Sequence, residues 1–226
     1  MVSPSSPTYC GLGAWETTMS RWIGVAFAAA WLTVPEAAMA SPPVGPRDVV
    51  ESAIVRVLTL MRDGEVDGTS VPDRWAEIRK IARETFDFNE MSRRALARHW
   101  QARTPEEQAE FVALFTDLLE RSCGAQIEAF VGEKITFVGE SVDGRFATVR
   151  AKVVTRRGTV IDLDFLLHVR DGRWRAYDVQ IGGASVVSSY RSQFDRVIRT
   201  ESYGALRDRL QTKTFDTAVA ERRAGP

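Results

Sequence analysis

Cysteine is nearly absent. Cys10 and Cys123 are the only two in 226 residues, and cleavage of a leader near residue 40 leaves Cys123 alone. No intramolecular disulfide is then possible, so cohesion has to come from a hydrophobic core. Histidine is as scarce, and no His-x-x-x-His, Cys-x-x-Cys or His-x-x-Glu-His spacing gathers metal ligands around His99 or His168. Neither a metal nor a cofactor is expected. An excess of one charge is missing too: Lys plus Arg and Asp plus Glu each number 30. That removes the broad basic footprint on which nucleic acid or an anionic surface is bound, and nucleic acid is excluded as a partner.

Long hydrophobic runs are also lacking. Ile23 to Val34 is apolar over about a dozen residues, short of the roughly 18 to 20 that a membrane span requires. Arg21 precedes it and Pro35 and Ala38-Met39-Ala40 follow, which is the three-part layout of a secretory signal peptide. Cleavage is expected after Ala40, with residues 1–40 as signal peptide, 41–215 as one domain and 216–226 as a flexible tail. The polar stretch before Met19 adds nothing to that layout, which fits a start at Met19 with Met1 to Thr18 as an extension. The remaining residues suffice for one core, and loss of Arg21, Glu16 and Glu36 leaves the basic and acidic counts at 29 and 28.

What is present is a change of period. Val50, Ile54, Val57, Leu58 and Met61 recur at three and four residues and stop at Asp63-Gly64; Pro72 opens a second helix with Trp75, Ile78, Ala82 and Phe86 on one face. Asp87 three residues before Glu90, and Thr104 before Pro105 and Glu107, are helix starts. The helix after Thr104 is the longest, with Phe111, Phe115, Leu118, Ser122 and Ile127 as its stripe and Val112 and Leu119 widening it. From Lys134 the period becomes two: Ala147, Val149, Ala151 and Val153, then Ile161, Leu163, Phe165, Leu167 and Val169, alternate with polar residues. Asp143-Gly144, Arg157-Gly158 and Asp171-Gly172 separate about four strands, antiparallel and in sequential order. Ser185 to Thr200 and Ala205 to Gln211 return to helix, the former carrying Val186, Tyr190, Phe194 and Val197. The fold class is α+β, helices on one face of a mainly antiparallel sheet.

Groups with chemistry are few. Gly183-Ala184-Ser185-Val186-Val187 has valine where a nucleophile elbow needs its second glycine, so Ser185 reads as a helix cap rather than the nucleophile of a secreted hydrolase. Asp162 and Asp164 share a strand face without a third acid or a base beside them, and a solvated face explains them better than a carboxylate pair. Cys123 interrupts an apolar stripe as a small core filler. Arg93, Arg94 and Arg98 are the one basic group with the look of a docking patch. No catalytic residue is expected, and the chain does not read as an enzyme. What remains is an excess of large apolar side chains that either fill each other's space or wall a cavity.

Several blocks resemble the MlaC or toluene-tolerance family of periplasmic lipid carriers: Phe86-Asp87-Phe88-x-x-Met91-Ser92-Arg93-Arg94-Ala95-Leu96, His99-Trp100, Gln108-x-x-Glu110-Phe111-x-x-Leu114-Phe115, Trp174-x-x-Tyr177-Asp178-Val179, Gly183-x-Ser185-x-Val187 and Tyr190-Arg191-x-Gln193-Phe194. The match spans about Pro46 to Leu210. Family members commonly carry Gly where Ala97 stands, Tyr at Cys123, Glu at Gly182 and Asn at Ser189. The resemblance implies a strongly curved sheet enclosing an apolar cavity with the helices. It also implies a phospholipid or related lipid as ligand, and as partners an inner-membrane ABC transporter complex and an outer-membrane lipoprotein complex that together maintain outer-membrane lipid asymmetry. A hopanoid or other sterol-like lipid is the alternative within the family, and an envelope adaptor with a fully packed interior the alternative outside it. On this reading the lipid-binding residues are Phe86, Met91, Leu96, Phe115, Leu119, Phe137, Val149, Phe165, Leu167, Tyr177, Val179, Val187, Tyr190 and Phe194, of which at least half are expected to border one elongated pocket.

Overall fold

Each of five helices begins where a short polar side chain takes up a backbone donor that the first turn leaves unpaired. In the computed structural model, which describes residues 44–63, 70–130 and 132–215, Ser70 accepts from the Asp73 N–H at 3.3 Å and opens α2 (Val71–Thr85), which follows α1 (Pro46–Asp63). Asp87 accepts from the Glu90 N–H at 3.0 Å and opens α3 (Phe88–Leu96). Thr104 and Glu107 cap each other's backbone N–H at 3.2 and 3.0 Å, a complete capping box at the head of α4 (Pro105–Phe130). Ser185 and Ser202 do the same for α5 (Val186–Thr200) and α6 (Tyr203–Gln211). The expected signal peptide, the tail and the Cys123 side chain lie outside the described residues.

Between α4 and α5 run β1 (Lys134–Asp143), β2 (Phe146–Val154), β3 (Val160–Arg170), β4 (Arg173–Ile181) and a two-residue β5 (Ala184–Ser185). All pairs are antiparallel and the spatial order is β1-β2-β3-β4-β5. Sequential hairpins follow from turn chemistry. Asp171-Gly172 and Gly182-Gly183 each supply two consecutive positive φ values, 50° and 70°, then 56° and 78°. That is the backbone of the two-residue turn whose twist matches flanking strands. The fifth strand was not expected: Ala184-Ser185 is too short for a periodicity and pairs only with Gln180 and Ile181. Beside it, the exposed edge of β4 is covered by a bridge from Phe86 to Ala176, with the Asp87 N–H donating to the Ala176 carbonyl at 2.8 Å.

Two strands carry an extra residue. In β4 the register passes from Ala176 opposite Leu167 to Asp178 opposite Leu166, which leaves Tyr177 unmatched. A strict alternation would send Val179 and Ile181 to the face opposite Trp174 and Ala176. The bulge resets the count, and all four join one apolar cluster. In β1 the same happens at Val138, between Phe137 and Gly139.

The apolar interior is divided. One cluster lies among α3, α4, α5 and α6 and is made of Met91, Ala95, Leu96, Phe111, Phe115, Leu118, Leu119, Val187, Tyr190, Phe194 and others, with Phe215 sealing it. The second lies on one sheet face, with Ala147, Val149, Ala151, Val153, Leu163, Phe165, Leu167, Trp174 and Ala176, and Val50 of α1 laid against it. Phe86 borders both.

Candidate functional site

The two clusters are filled differently. The helical one is interlocked by rings: Phe111, Phe115, Tyr190, Phe194 and Phe215 meet edge-on or stacked with centroids 5.1 to 5.8 Å apart along the chain of contacts. Such packing leaves no slack. The sheet cluster has only two buried aromatic residues, Phe165 and Trp174, among β-branched residues, alanines and leucines, and its half-buried margin is the wider of the two. Ile135, Phe137, Ile161, Val169, Val179 and Ile181 of the sheet and Val49 and Ile54 of α1 are only half-buried although they pack against it. Along α1 the expected stripe is buried at Val50 alone, while Ile54, Val57, Leu58 and Met61 stay half-buried, as does Trp75 on α2. An apolar surface left partly exposed, between a helix and a sheet face, is what a removable apolar ligand would cover.

The fourteen residues expected to bind lipid therefore fall into separate places. Met91, Leu96, Phe115, Leu119, Val187, Tyr190 and Phe194 belong to the interlocked helical cluster. Phe137, Val149, Phe165, Leu167 and Val179 belong to the sheet cluster, and Phe86 stands between the two. Tyr177, the bulge residue, belongs to neither. Its ring stands edge-on to His168 at 5.4 Å and Phe146 at 6.3 Å, with the Arg94 guanidinium over it at 4.0 Å.

Buried polar groups tie this scaffold together rather than facing its apolar surface. Asp87, its side chain only 2 % exposed, caps α3 and also meets His168 at 2.9 Å and Arg170 at 2.8 Å, both on the face of β3 opposite Leu167 and Val169. Burial pushes the Asp87 carboxyl up. The Arg170 hydrogen bond, the Glu90 N–H, the Arg170 charge and the His168 hydrogen bond outweigh it and hold the group below its ordinary range. Asp178, buried, accepts from its neighbour's N–H at Val179 (2.9 Å), from the Val187 N–H (3.1 Å) and from the Ser185 hydroxyl. β4 and the start of α5 are joined at this one carboxylate.

Other residues with chemistry are similarly occupied. Ser185 caps α5, as its sequence context predicted, and it also donates to Asp178. His99 meets Asp195 of α5 at 2.9 Å, and Arg98 meets the same carboxylate. Arg93 and Arg94 share Glu90 at 2.7 Å, so the three guanidiniums of this group stand against two carboxylates, Glu90 and Asp195. Asp162 pairs with Lys152 across the strands, and Asp164 faces Arg150 in register. Among the described residues no group of three potential metal ligands converges and no helix is long and apolar enough to cross a membrane. Sequence reasoning gave no role to Asp87 beyond its cap and none to Asp178 beyond the block containing it. Asp178 is the one acidic residue of β4, and that was the available signal for it.

Comparison with known proteins agrees with this architecture. The family profile described as "MlaC protein" matches residues 51–212. The toluene tolerance protein ttg2D of Pseudomonas putida is 23 % identical over 152 residues, covering 66 % of this chain and 71 % of that protein. A phospholipid-binding protein from Ralstonia solanacearum, solved in complex with a phospholipid, superposes with a TM-score of 0.67 over 77 % of this chain and 99 % of that one, at 22 % identity.

Proposed function

The chain belongs to the MlaC family, and from that premise we propose that it is a non-enzymatic periplasmic carrier that binds a phospholipid and shuttles it for an ABC-type inter-membrane transport system that maintains outer-membrane lipid asymmetry. The observation that carries this reading is the unequal filling of the two apolar clusters. The helical cluster is a solid support, and the half-buried margin of the sheet cluster is the binding surface, with acyl chains lying between α1 and the side chains of Phe137, Ile161, Val179 and Ile181. The phospholipid in the Ralstonia relative supports the ligand class. No observation favours a sterol-like lipid. The transporter and outer-membrane complexes enter as partners from the family alone.

The energetics favour smooth walls without a charged clamp. Two acyl chains carry roughly 30 methylenes, and at about 0.8 kcal/mol each their exposure to water would cost on the order of 25 kcal/mol. A carrier has to supply nearly all of that and still release its load, so its walls imitate the bilayer interior.

Native mass spectrometry of gently purified protein tests the proposal. A co-purified phospholipid is expected in the wild type, and its loss in Phe137→Asp and Val179→Asp proteins, because an unpaired charge on a dry wall is costly. These half-buried positions leave the interlocked helical cluster intact, so both variants are expected to stay folded. Wild-type protein that is reproducibly empty and takes no lipid from vesicles overturns the reading.

A further inference from the structure

The side of α2 opposite Ile78, Ile81 and Thr85 carries Ala76, Arg79, Lys80 and Arg83 at spacings of three and four, and Arg175 of β4 lies against the end of this row. With Glu84 they line a solvent-open cleft of about 460 Å³, within the size range of small-molecule sites. A row of cations on a helix is ordinarily a solvated face. Here the charge accounting differs. Lys80 is taken by Glu77 at 3.4 Å and Arg83 by Glu120 at 3.1 Å. Glu84, the only acid in the lining, is taken from outside the cleft by Arg56 at 3.0 Å.

Two guanidiniums are left over. Arg175 donates from Nη1 to the backbone carbonyl of Arg83 at 3.0 Å, a neutral acceptor that fixes the side chain in place without cancelling its charge. Arg79 has no carboxylate partner among the described residues. Both are half-buried, so their charge is less screened than that of a free surface arginine. A planar guanidinium offers paired N–H donors at the spacing of phosphate oxygens, and it is the group that binds such oxygens in two-point fashion. A chain of zero net charge exerts no long-range pull on anions, so a local surplus of this kind acts on what already touches it.

We propose that this cleft binds a phosphate-bearing anion, a phosphomonoester or phosphodiester, between Arg79 and Arg175, with Lys80 and Arg83 at its rim. It lies on the outward side of α2, away from the apolar margin of the sheet, and does not depend on the carrier reading.

The test uses the full chain at low salt, with glycerol 3-phosphate and inorganic phosphate followed by calorimetry. Flotation with phosphatidylglycerol/phosphatidylcholine vesicles, against pure phosphatidylcholine, covers the membrane-bound source. Arg79→Gln leaves the Arg175 anchor untouched and should weaken binding several-fold; the double variant with Arg175→Gln should weaken it by about tenfold or more, as expected for charge-assisted bonds. Arg196→Gln, the same charge change on the exposed side of α5, should leave binding unchanged. Loss confined to the soluble phosphates identifies a small solute, loss confined to vesicles identifies a headgroup, and either supports the site. Three results overturn it: wild type that binds no phosphate probe, an Arg196→Gln protein weakened as much as the double variant, or binding of a polyglutamate peptide without any phosphate probe, which would assign the cleft to an acidic protein surface. Lipid retention in the double variant is expected to match wild type, so failure here and failure of the carrier reading are read separately.

Discussion

Ala97 stands at the end of α3 with φ 46° and ψ −117°. This is the geometry of the first central residue of a type II′ turn, where glycine is preferred because a Cβ crowds the backbone. A residue held in such a region costs of order 1–3 kcal/mol. The methyl group is exposed, so removing it costs no packing, and the N–H of residue 97 keeps its bond to the Arg93 carbonyl. Glycine adds freedom to the unfolded chain, which returns about 0.5–1 kcal/mol of the gain. The net expectation for Ala97→Gly is about 1 kcal/mol of added stability. For a domain of this size that raises the melting temperature by about 2–4 °C. Ala97→Val should move it the other way, since a β-branched side chain suits this region worst. The resemblance to a family that commonly carries glycine at this position points the same way. Thermal melts followed by circular dichroism, with urea titrations for the free energy, decide the matter. An unchanged or lowered midpoint for Ala97→Gly would refute the strain argument.

Asp87 predicts acid sensitivity. Its folded-state pKa lies below the unfolded value near 4, so its contribution is present above that pH and is lost as pH falls through the folded value. Urea midpoints measured downward from pH 5 should fall in wild type and fall less in Asp87→Ala, which should itself cost about 1–2 kcal/mol at pH 7 through loss of the α3 cap and of the contacts to His168 and Arg170. Asp178→Ala is expected to cost about 2–3 kcal/mol, with hydrogen exchange fastest at the first turn of α5, whose Val187 N–H loses its acceptor. Phe115→Ala should cost about 3–5 kcal/mol as a core cavity. Where that protein remains folded it should still carry lipid, unlike Val179→Asp, and co-purification separates the two.

Much of the scaffold was legible because local chemistry dictates it. Asp87, Thr104 and Ser185 announce helix starts through side chains that serve the backbone next to them, and Asp171-Gly172 announces a hairpin through two residues that tolerate positive φ. The division of the apolar residues was not legible. Phe115 and Phe137 look equivalent in sequence, since a stripe marks which side of an element is buried and says nothing of what it meets. One turned out to interlock with Tyr190 and Phe194, and the other stays at an open margin. Tyr177 was hidden by its bulge, which breaks the period on which strand reading depends. The tie from Asp87 to His168 and Arg170 spans more than eighty positions of chain, a separation across which no local pattern reports.

The unmatched tyrosine in β4 makes one strand serve two opposite surfaces. Upstream and downstream of it the greasy side chains share a side, while Asp178, one step away, turns to the helix behind. Straightening the ribbon so that this ring took a regular place would aim a carboxylate at the oily side and expel two aliphatic groups to the other, whereas deleting the ring's residue would leave both sides as they are. The sidedness of this strand is thus set by one surplus residue, and a chain of this kind should tolerate insertions in its hairpin tips far more readily than within the strand.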